Sequence, residues 1–191
     1  MDASAIDHSR DALTISRILR VNHAGEVGAI NIYTAQIAMP QRDGDIHDFL
    51  VETLSHERKH ARQFLALMPD RHTRPCGAMP LWGLGGTFLG AVTGLLSRNA
   101  VLICTEAVER TVHRHLDDQL AWLGDRDPAL SDTIRKIQAQ ELGHLRFARD
   151  GQGARGWFSH GLDAVIVAAT EAVIWLSTYG ASAKMAHDLK A

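Results

Sequence analysis

Apolar residues recur every three or four positions along most of this chain, and no segment shows the strict alternation typical of a β-strand. This spacing places apolar side chains on one face of an α-helix. It predicts helices beginning near Ile15, Ile46, Val101 and Leu130, and a last apolar helix from about Phe158 into the 180s. Prolines or turns such as QRDGD separate these segments. We therefore predict an all-α fold.

Glutamates interrupt the apolar faces of four of these helices in a repeated order. Glu26 precedes Glu57 by 31 residues, and Glu109 precedes Glu141 by 32. A histidine follows the second glutamate of each pair three positions later, so both halves of the chain contain E-x-x-H. The candidate site residues are Glu26, Glu57, His60, Glu109, Glu141 and His144.

Four carboxylates directed at one apolar core need positive partners, because an unpaired buried charge costs several kcal/mol. Two divalent cations balance four carboxylates, and two imidazoles complete the ligand set. Four-helix di-metal proteins use one glutamate from each of two helices and Glu-x-x-His from each of the other two. The sequence therefore predicts a ferritin-like four-helix bundle with a two-metal centre and two extra apolar helices.

The sequence HERKH at residues 56–60 also fits the H-E-x-x-H motif, in which two histidines bind one zinc ion. The second copy, QELGH at residues 140–144, has glutamine in the first position, so only E-x-x-H is repeated. A zinc site would also need a third ligand, such as Glu106 or Glu109. His56 lies about a quarter turn from the apolar stripe. We therefore expect His56 to be solvated or structural and assign only His60 to the metal site.

Composition excludes several classes of function. The chain has 191 residues, and we predict one domain over residues 1–191. A formal charge of −2 provides no basic excess, so nucleic acid is not an expected partner. Cys76 and Cys104 lack a CxxC spacing and indicate no thiol chemistry. The N-terminal segment has no apolar signal region, and its three aspartates argue against a mitochondrial presequence, so we expect a cytoplasmic location.

Residues 76–97, CGAMPLWGLGGTFLGAVTGLLS, form an uncharged segment close to the roughly 20 apolar residues of a membrane span. A single crossing would place the two halves of the predicted metal centre on opposite sides of a bilayer. We therefore predict a membrane-associating helix embedded in one leaflet, with a buried cross-over helix and a dimer interface as alternatives. Gly86, Gly90 and Gly94 recur every four residues, which allows close helix contact.

Other polar residues fall near the predicted site. His23 and His113 lie one helical turn from Glu26 and Glu109, within expected reach of a ligand carboxylate. Tyr33 is expected in the core at the edge of the site, whereas His115 is less well placed. The remaining histidines are expected to be solvated or structural: His8, His47, His72, His160 and His187.

In these residues and the segments around them, the chain resembles the demethoxyubiquinone hydroxylases, a ferritin-like di-iron family of ubiquinone biosynthesis. The likeness extends from about Arg17 to Tyr179 and is carried by RVNHAGEVGAINIYTAQ, HERKHARQF, RPCGAMPLWGLGGTFLGA, CTEAVERTVHRHL and QELGHLRFA. It implies that the six candidate residues bind two iron ions (Fe2+/Fe3+), with Glu57 and Glu141 as bridges. Leu116 is a departure, because eukaryotic members have tyrosine there and any role of that tyrosine is absent or moved.

The resemblance also implies a reaction, in which the ring of a polyprenyl demethoxyquinol is hydroxylated with dioxygen. NADH is the reductant linked to the family, although this chain has no dinucleotide fingerprint. A peripheral, monotopic position at the cytoplasmic face of the inner (cell) membrane is expected. Other ubiquinone-biosynthesis proteins and a second copy of the chain stay open as partners. The alternatives are a soluble ferritin-like iron oxidase, a manganese catalase with the same six ligands, or a metal-free membrane-associated scaffold.

Overall fold

A computed structural model of the chain describes residues 3–40 and 44–189, with side chains from residue 10 onward. Every regular element within these ranges is helical, which confirms the predicted all-α bundle. The α-helices are α1 (Ala3–Ala38), α2 (Gly44–Leu67), α3 (Met79–Leu96), α4 (Arg98–Leu123), α5 (Pro128–Asp150), α6 (Trp157–Thr178) and α7 (Ala181–Asp188). A 3-10 turn, Pro69–Arg71, follows α2. The first three residues of the turn expected at QRDGD (41–45) and the side chain of His8 lie outside the described parts.

The C-terminal helix differs from its prediction as one continuous element. Tyr179 and Gly180 adopt left-handed backbone angles, with φ values of 53° and 75°. A left-handed residue ends a helix because its backbone cannot continue the right-handed turn. The predicted helix is therefore divided into α6 and the short α7.

Two apolar clusters fill the bundle, one toward each end of α1, α2, α4 and α5. The upper cluster includes Tyr33, Leu50, Leu54, Leu102, Ala107 and Ala148. The lower cluster includes Leu19, Phe64, Leu116, Leu123, Leu130 and Ile137. In the direction of the chain, α1 and α5 both run from the lower to the upper cluster, whereas α2 and α4 run from the upper to the lower cluster. Because α2 and α4 run parallel, the chain must return between them, as in ferritin-like bundles with one long cross-over.

Helix α3 makes this return and packs closely along α1. A Cβ atom on Gly86 would lie 2.5 Å from the carbonyl oxygen of Gly28, and one on Gly90 would lie 2.2 Å from that of Ile32. Any side chain at these positions would push the helices apart, which confirms the close contact expected from the glycine spacing. The Gln36 Nε2 atom donates a hydrogen bond to Thr93 Oγ1 at 2.9 Å in the same interface.

The opposite face of α3 is exposed. Leu84, Phe88 and Leu95 are 74%, 73% and 68% exposed. Helix α3 is thus a cross-over helix, as one alternative predicted, but it is not buried. Helices α3 and α6 are both long and apolar enough to cross a membrane by length and composition.

Side-chain hydrogen bonds fix the helices around the centre of the bundle. Asn22 on α1 and Gln119 on α4 exchange two amide hydrogen bonds of 2.8 and 2.9 Å. Asp127 caps α5 by accepting from the Leu130 backbone N–H at 3.0 Å, and it also binds the Arg71 guanidinium through both oxygens. The end of α2 is therefore tied to the start of α5.

Candidate metal centre

The six predicted site residues lie at one level of the bundle, between the upper and lower clusters. Each of the four central helices supplies at least one of them, because the glutamates interrupt its apolar stripe at that level. All six are buried, with no more than 6% of any residue exposed. The structure thus brings together Glu26, Glu57, His60, Glu109, Glu141 and His144, and their metal ligation remains a prediction.

Three of the glutamates surround the Nδ1 atom of His60. It lies 3.6 Å from Glu26 Oε2, 3.9 Å from Glu57 Oε2 and 3.8 Å from Glu141 Oε1. These separations exceed the usual length of an N–H···O hydrogen bond. They suit donor atoms that each lie about 2.0–2.2 Å from one shared cation. This group can hold one metal ion.

A second group surrounds the Nδ1 atom of His144. It lies 3.5 Å from Glu57 Oε1 and 3.5 Å from Glu109 Oε1. Glu57 therefore offers one oxygen to each group, which fits the bridging role predicted for it. Glu141 belongs only to the first group, so its predicted bridging role has less support.

Several inward-facing atoms of the site are buried without a hydrogen-bond partner among the described residues. They are Glu26 Oε2, Glu57 Oε1, His60 Nδ1, Glu141 Oε2 and His144 Nδ1. An unsatisfied buried polar atom costs about 1–3 kcal/mol, and more when it is charged. Cations between the two imidazoles and four carboxylates would satisfy these atoms, so the donor set fits two metal ions.

Glu106 on α4 is a useful comparison, because it is buried to the same degree and lies three residues before Glu109. Its carboxylate pairs with Arg110, Arg149 and Arg155. It belongs to neither metal group, contrary to the zinc interpretation that used it as a third ligand. In the described part of the chain, the four central glutamates have no such arginine or lysine partner. The protein neutralises Glu106 with arginine side chains, whereas the central carboxylates are left without such partners and are available to metal cations.

Burial controls the protonation of the central carboxylates. It raises the pKa values of Glu26, Glu57 and Glu141 well above the ordinary glutamate value. Neighbouring carboxylates raise them further, as Glu26 does for Glu57 and Glu109 does for Glu141. Without metal, the folded site therefore holds protons that the unfolded chain releases.

This difference predicts how the stability of the metal-free protein depends on pH. The free energy of unfolding should fall as pH rises above the ordinary glutamate pKa, because the unfolded chain then ionises its glutamates and the folded site resists ionisation. Four histidines have lowered pKa values: His23, His56, His113 and His115. Their contribution to the free energy of unfolding rises with pH until about pH 6.5, the ordinary histidine pKa, and is constant above it. Thermal melts in chelator should therefore show a falling Tm from about pH 7 to about pH 9. A Tm that rises over this range would contradict the prediction.

The outer nitrogens of the two site histidines bind residues that precede the E-x-x-H glutamates. The His144 Nε2 atom lies 3.0 Å from His56 Nδ1, and the His60 Nε2 atom lies 3.0 Å from Gln140 Oε1. Of the two expectations for His56, solvated or structural, the first does not hold, because the residue is half-buried and contacts His144. His56 belongs to neither metal group, which argues against the zinc interpretation.

The predictions for other residues near the site agree with the structure only in part. Tyr33 is buried in the core and donates a hydrogen bond from its hydroxyl to Glu109 Oε1 at 3.1 Å. His23 and His113 each bury a ring nitrogen that has no partner among the described residues, so the expected bonds to ligand carboxylates are not seen. His115 instead binds Glu171 on α6, with 3.0 Å between Nε2 and Oε2.

A cavity of about 300 Å3 adjoins the carboxylates and opens between α3 and α6. Glu26, Glu57, Glu109 and Glu141 form its polar end, and its walls are mainly apolar residues of α1, α3, α4 and α6. Trp82 closes one side and donates from its indole N–H to Ser177 Oγ on α6 at 2.8 Å. Sequence patterns gave no sign that α6 lines the site, because this depends on how the helices pack. The volume suits one small organic molecule.

Comparisons with known proteins agree with this geometry. Residues 13–177 match the family described as ubiquinone biosynthesis protein COQ7. The 3-demethoxyubiquinol 3-hydroxylase of Rhodospirillum rubrum is 36% identical over 168 residues, covering 87% of this chain and 78% of the relative. The NADPH-dependent 3-demethoxyubiquinone 3-hydroxylase of Dictyostelium discoideum is 32% identical over 169 residues, covering 86% and 76%. The human enzyme of the same name is 34% identical over 167 residues, covering 85% and 76%.

The matched range contains all six residues of the candidate metal centre, all of α2, α4 and α5, α1 from residue 13 onward, and nearly all of α6. The resemblance identified from HAGE, the RP…MPLW connector and the two E-x-x-H motifs is therefore confirmed. This chain belongs to the family of ubiquinone biosynthesis protein COQ7.

Proposed function

We propose that this protein is a 3-demethoxyubiquinol 3-hydroxylase, a di-iron monooxygenase that hydroxylates the ring of a polyprenyl quinol. The observation that carries this proposal is the contact between the buried carboxylate–histidine groups and the apolar cavity. A soluble iron oxidase or a manganese catalase needs the same ligands but no space for an organic ring. The names of the relatives support the same substrate.

Iron fits the donor set, since carboxylates and imidazoles suit Fe(II) in sites that keep open positions. Glu26, Glu57, His60 and Glu141 would hold one ion, and Glu57, Glu109 and His144 the other. When bound, the two irons supply the redox chemistry that activates dioxygen. The protein positions the carboxylates, and the Tyr33 hydroxyl holds Glu109 through its hydrogen bond.

The reaction replaces one ring C–H bond of the quinol with C–OH. One oxygen atom of dioxygen enters the product, and the other leaves as water after it receives two electrons and two protons. A reduced nicotinamide is the proposed source of these electrons. The sequence resemblance implies NADH, whereas the names of the Dictyostelium and human relatives specify NADPH, so both should be tested as donors.

The membrane part of the proposal rests on α3 and α6. The cavity opens between these helices, where Leu81 and Phe88 of α3 and Val165 of α6 are exposed. An apolar rim in contact with one leaflet would let the quinol ring enter while its polyprenyl tail stays in lipid. We propose a peripheral position at the cytoplasmic face of the cell membrane. We also propose that residues 1–191 form one domain, since the upper and lower clusters share the same four helices.

The function is tested with purified protein loaded anaerobically with Fe2+. A short-tailed demethoxyquinol, a nicotinamide donor and 18O2 are added, and the product is analysed by mass spectrometry. We expect hydroxylated quinol carrying one 18O atom. Oxidation of free Fe2+ or decomposition of peroxide without any hydroxylated product would support the alternative functions instead.

Membrane binding should depend on the exposed leucines of α3. Changing Leu84 and Leu95 to aspartate should lower partitioning into liposomes about 100-fold or more, because each leucine gains about 1.5–3 kcal/mol in lipid. Leu89 on the same helix is an unsuitable position for this test, because it is half-buried against the upper cluster. A flotation assay measures the change. A short-tailed quinol should still be hydroxylated.

The matched control is Val51→Asp with Leu65→Asp on α2, where both side chains are exposed. This pair should leave liposome binding unchanged. Equal release by both double variants would remove the support for an α3–α6 membrane surface.

A further inference from the structure

The two E-x-x-H motifs are connected by hydrogen bonds that cross between α2 and α5. His56, one residue before Glu57, contacts the histidine of the other motif, His144. Gln140, one residue before Glu141, contacts His60 in the first motif. Each motif therefore supplies an outer partner for the imidazole of the opposite motif.

The antiparallel run of α2 and α5 explains the crossing. Moving from His56 to His60 along α2 corresponds to moving from His144 back to Gln140 along α5. On each helix the outer partner and the site histidine are four residues apart, so they lie on one face. The rings of His56 and His144 are nearly parallel, with centroids 5.3 Å apart and an interplanar angle of 12°.

The chemistry of imidazole fixes what these contacts can do. Each site histidine directs Nδ1 at the carboxylates, and a neutral imidazole can bind a metal there only if its proton is on Nε2. His60 must then donate its Nε2–H, and Gln140 Oε1 accepts it. His144 must likewise donate its Nε2–H, and His56 Nδ1 accepts it.

We propose that His56 and Gln140 are positioning residues of the metal centre, each fixing the tautomer and ring orientation of the site histidine in the opposite motif. This inference rests on the proposed di-iron function, because it needs metal ions at the two groups. Neither residue belongs to a metal group. A change at His56 therefore affects the ion beside His144 on α5, although His56 lies in the same motif as His60.

The matched variants are His56→Leu, which removes the acceptor, and His56→Gln, which restores one. Gln140 demonstrates that a glutamine in the equivalent position reaches an imidazole. Binding of Fe2+ is measured anaerobically against a chromogenic chelator. His56→Leu should weaken the binding of one of the two ions about 10- to 100-fold, as is typical for outer partners of metal-bound histidines. His56→Gln should bind both ions within about threefold of the native protein.

Lys59→Leu is the control for a surface leucine on α2, since Lys59 is exposed and belongs to neither metal group. Gln140→Leu tests the other arm and keeps the inference testable if His56→Leu does not fold, which circular dichroism reports. Gln140→Leu should weaken the binding of the ion beside His60 by a similar factor.

The crossing itself is tested in two backgrounds that each lack one site histidine. In His60→Ala protein, the remaining ion lies beside His144, and adding His56→Leu should weaken it further. In His144→Ala protein, adding His56→Leu should change the binding of the remaining ion by less than about twofold, because its hydrogen-bond partner is already gone. If neither background retains an ion, the comparison of His56→Leu, His56→Gln and native protein decides.

The outcomes separate the inference from the proposed function. If native protein binds no pair of Fe2+ ions, the di-iron function fails. If native protein binds two ions and His56→Leu binds both equally well, the positioning role of His56 is wrong while the function stands. Loss of metal in His56→Leu without recovery in His56→Gln would also overturn it, because the effect would then not come from the hydrogen-bond acceptor.

Discussion

Glu57→Gln is expected to abolish binding of the metal pair and to lower quinol hydroxylation at least about 100-fold. Glu57 is the only residue shared by both metal groups of the described structure, and its two oxygens face different histidines. The same change removes a buried carboxyl whose raised pKa makes the metal-free fold less stable above the ordinary glutamate pKa. Metal-free Glu57→Gln protein should therefore be more stable than metal-free native protein at pH 8, by on the order of 1–4 kcal/mol.

Glu106→Gln is the matched control, because it makes the same chemical change at another buried glutamate. It should keep both metal ions, since Glu106 lies outside the two groups. It should also lower stability by roughly 1–3 kcal/mol, because the arginines around it would lose their carboxylate and are partly exposed. Iron analysis and urea unfolding measure the two effects. Loss of metal in Glu106→Gln, or its retention in Glu57→Gln, would refute the assignment of the site.

The second large effect is expected from Gly25→Leu, which should nearly abolish turnover without removing the metal. Gly25 lines the cavity, and a Cβ atom there would have only a Trp82 carbon within reach, at 4.0 Å. The leucine side chain would extend into the space proposed for the quinol ring. A displacement of about 1 Å from the reactive position can cost about 100-fold in rate, so kcat/KM should fall by at least that factor.

Stability distinguishes this effect from damage to the fold. Leucine is a better helix former than glycine by up to about 1 kcal/mol, so the variant should be at least as stable as the native protein. Gly161→Leu on α6 is the control, because a Cβ atom there meets nothing within 4 Å and Gly161 does not line the cavity. It should keep full activity. Unchanged turnover in Gly25→Leu would exclude the cavity as the quinol site.

The six site residues and the helices could be predicted from the sequence, because both depend on local periodicity. A glutamate inside an apolar stripe must face the core, whatever the neighbouring helix is. The role of His56 could not be predicted in the same way. Its contact with His144 depends on the antiparallel register of α2 and α5, which helical spacing within α2 does not contain. The clue in the sequence was the polar residue that precedes both E-x-x-H motifs.

The cavity, too, could be predicted only in part from the sequence. Its polar end follows from the glutamates, but its walls include residues of α6 such as Thr170 and Val173, far from the motifs in sequence. The sequence therefore indicated an apolar last helix without indicating that it borders the reaction site. The position of the break between α6 and α7 also depended on one left-handed turn that the apolar pattern does not reveal.

The six site residues form a polar layer between the upper and lower clusters, and this layer affects how the bundle unfolds locally. In the metal-free protein, this layer interrupts the continuity of the apolar core, so the two ends of the four helices can exchange their amide hydrogens as separate units of local unfolding. In the proposed di-iron protein, iron would bind only the closed layer and would thereby join the two units, which would raise the protection of both. The cell's supply of iron would then determine how long the newly made chain stays open to proteases, independently of its catalytic use.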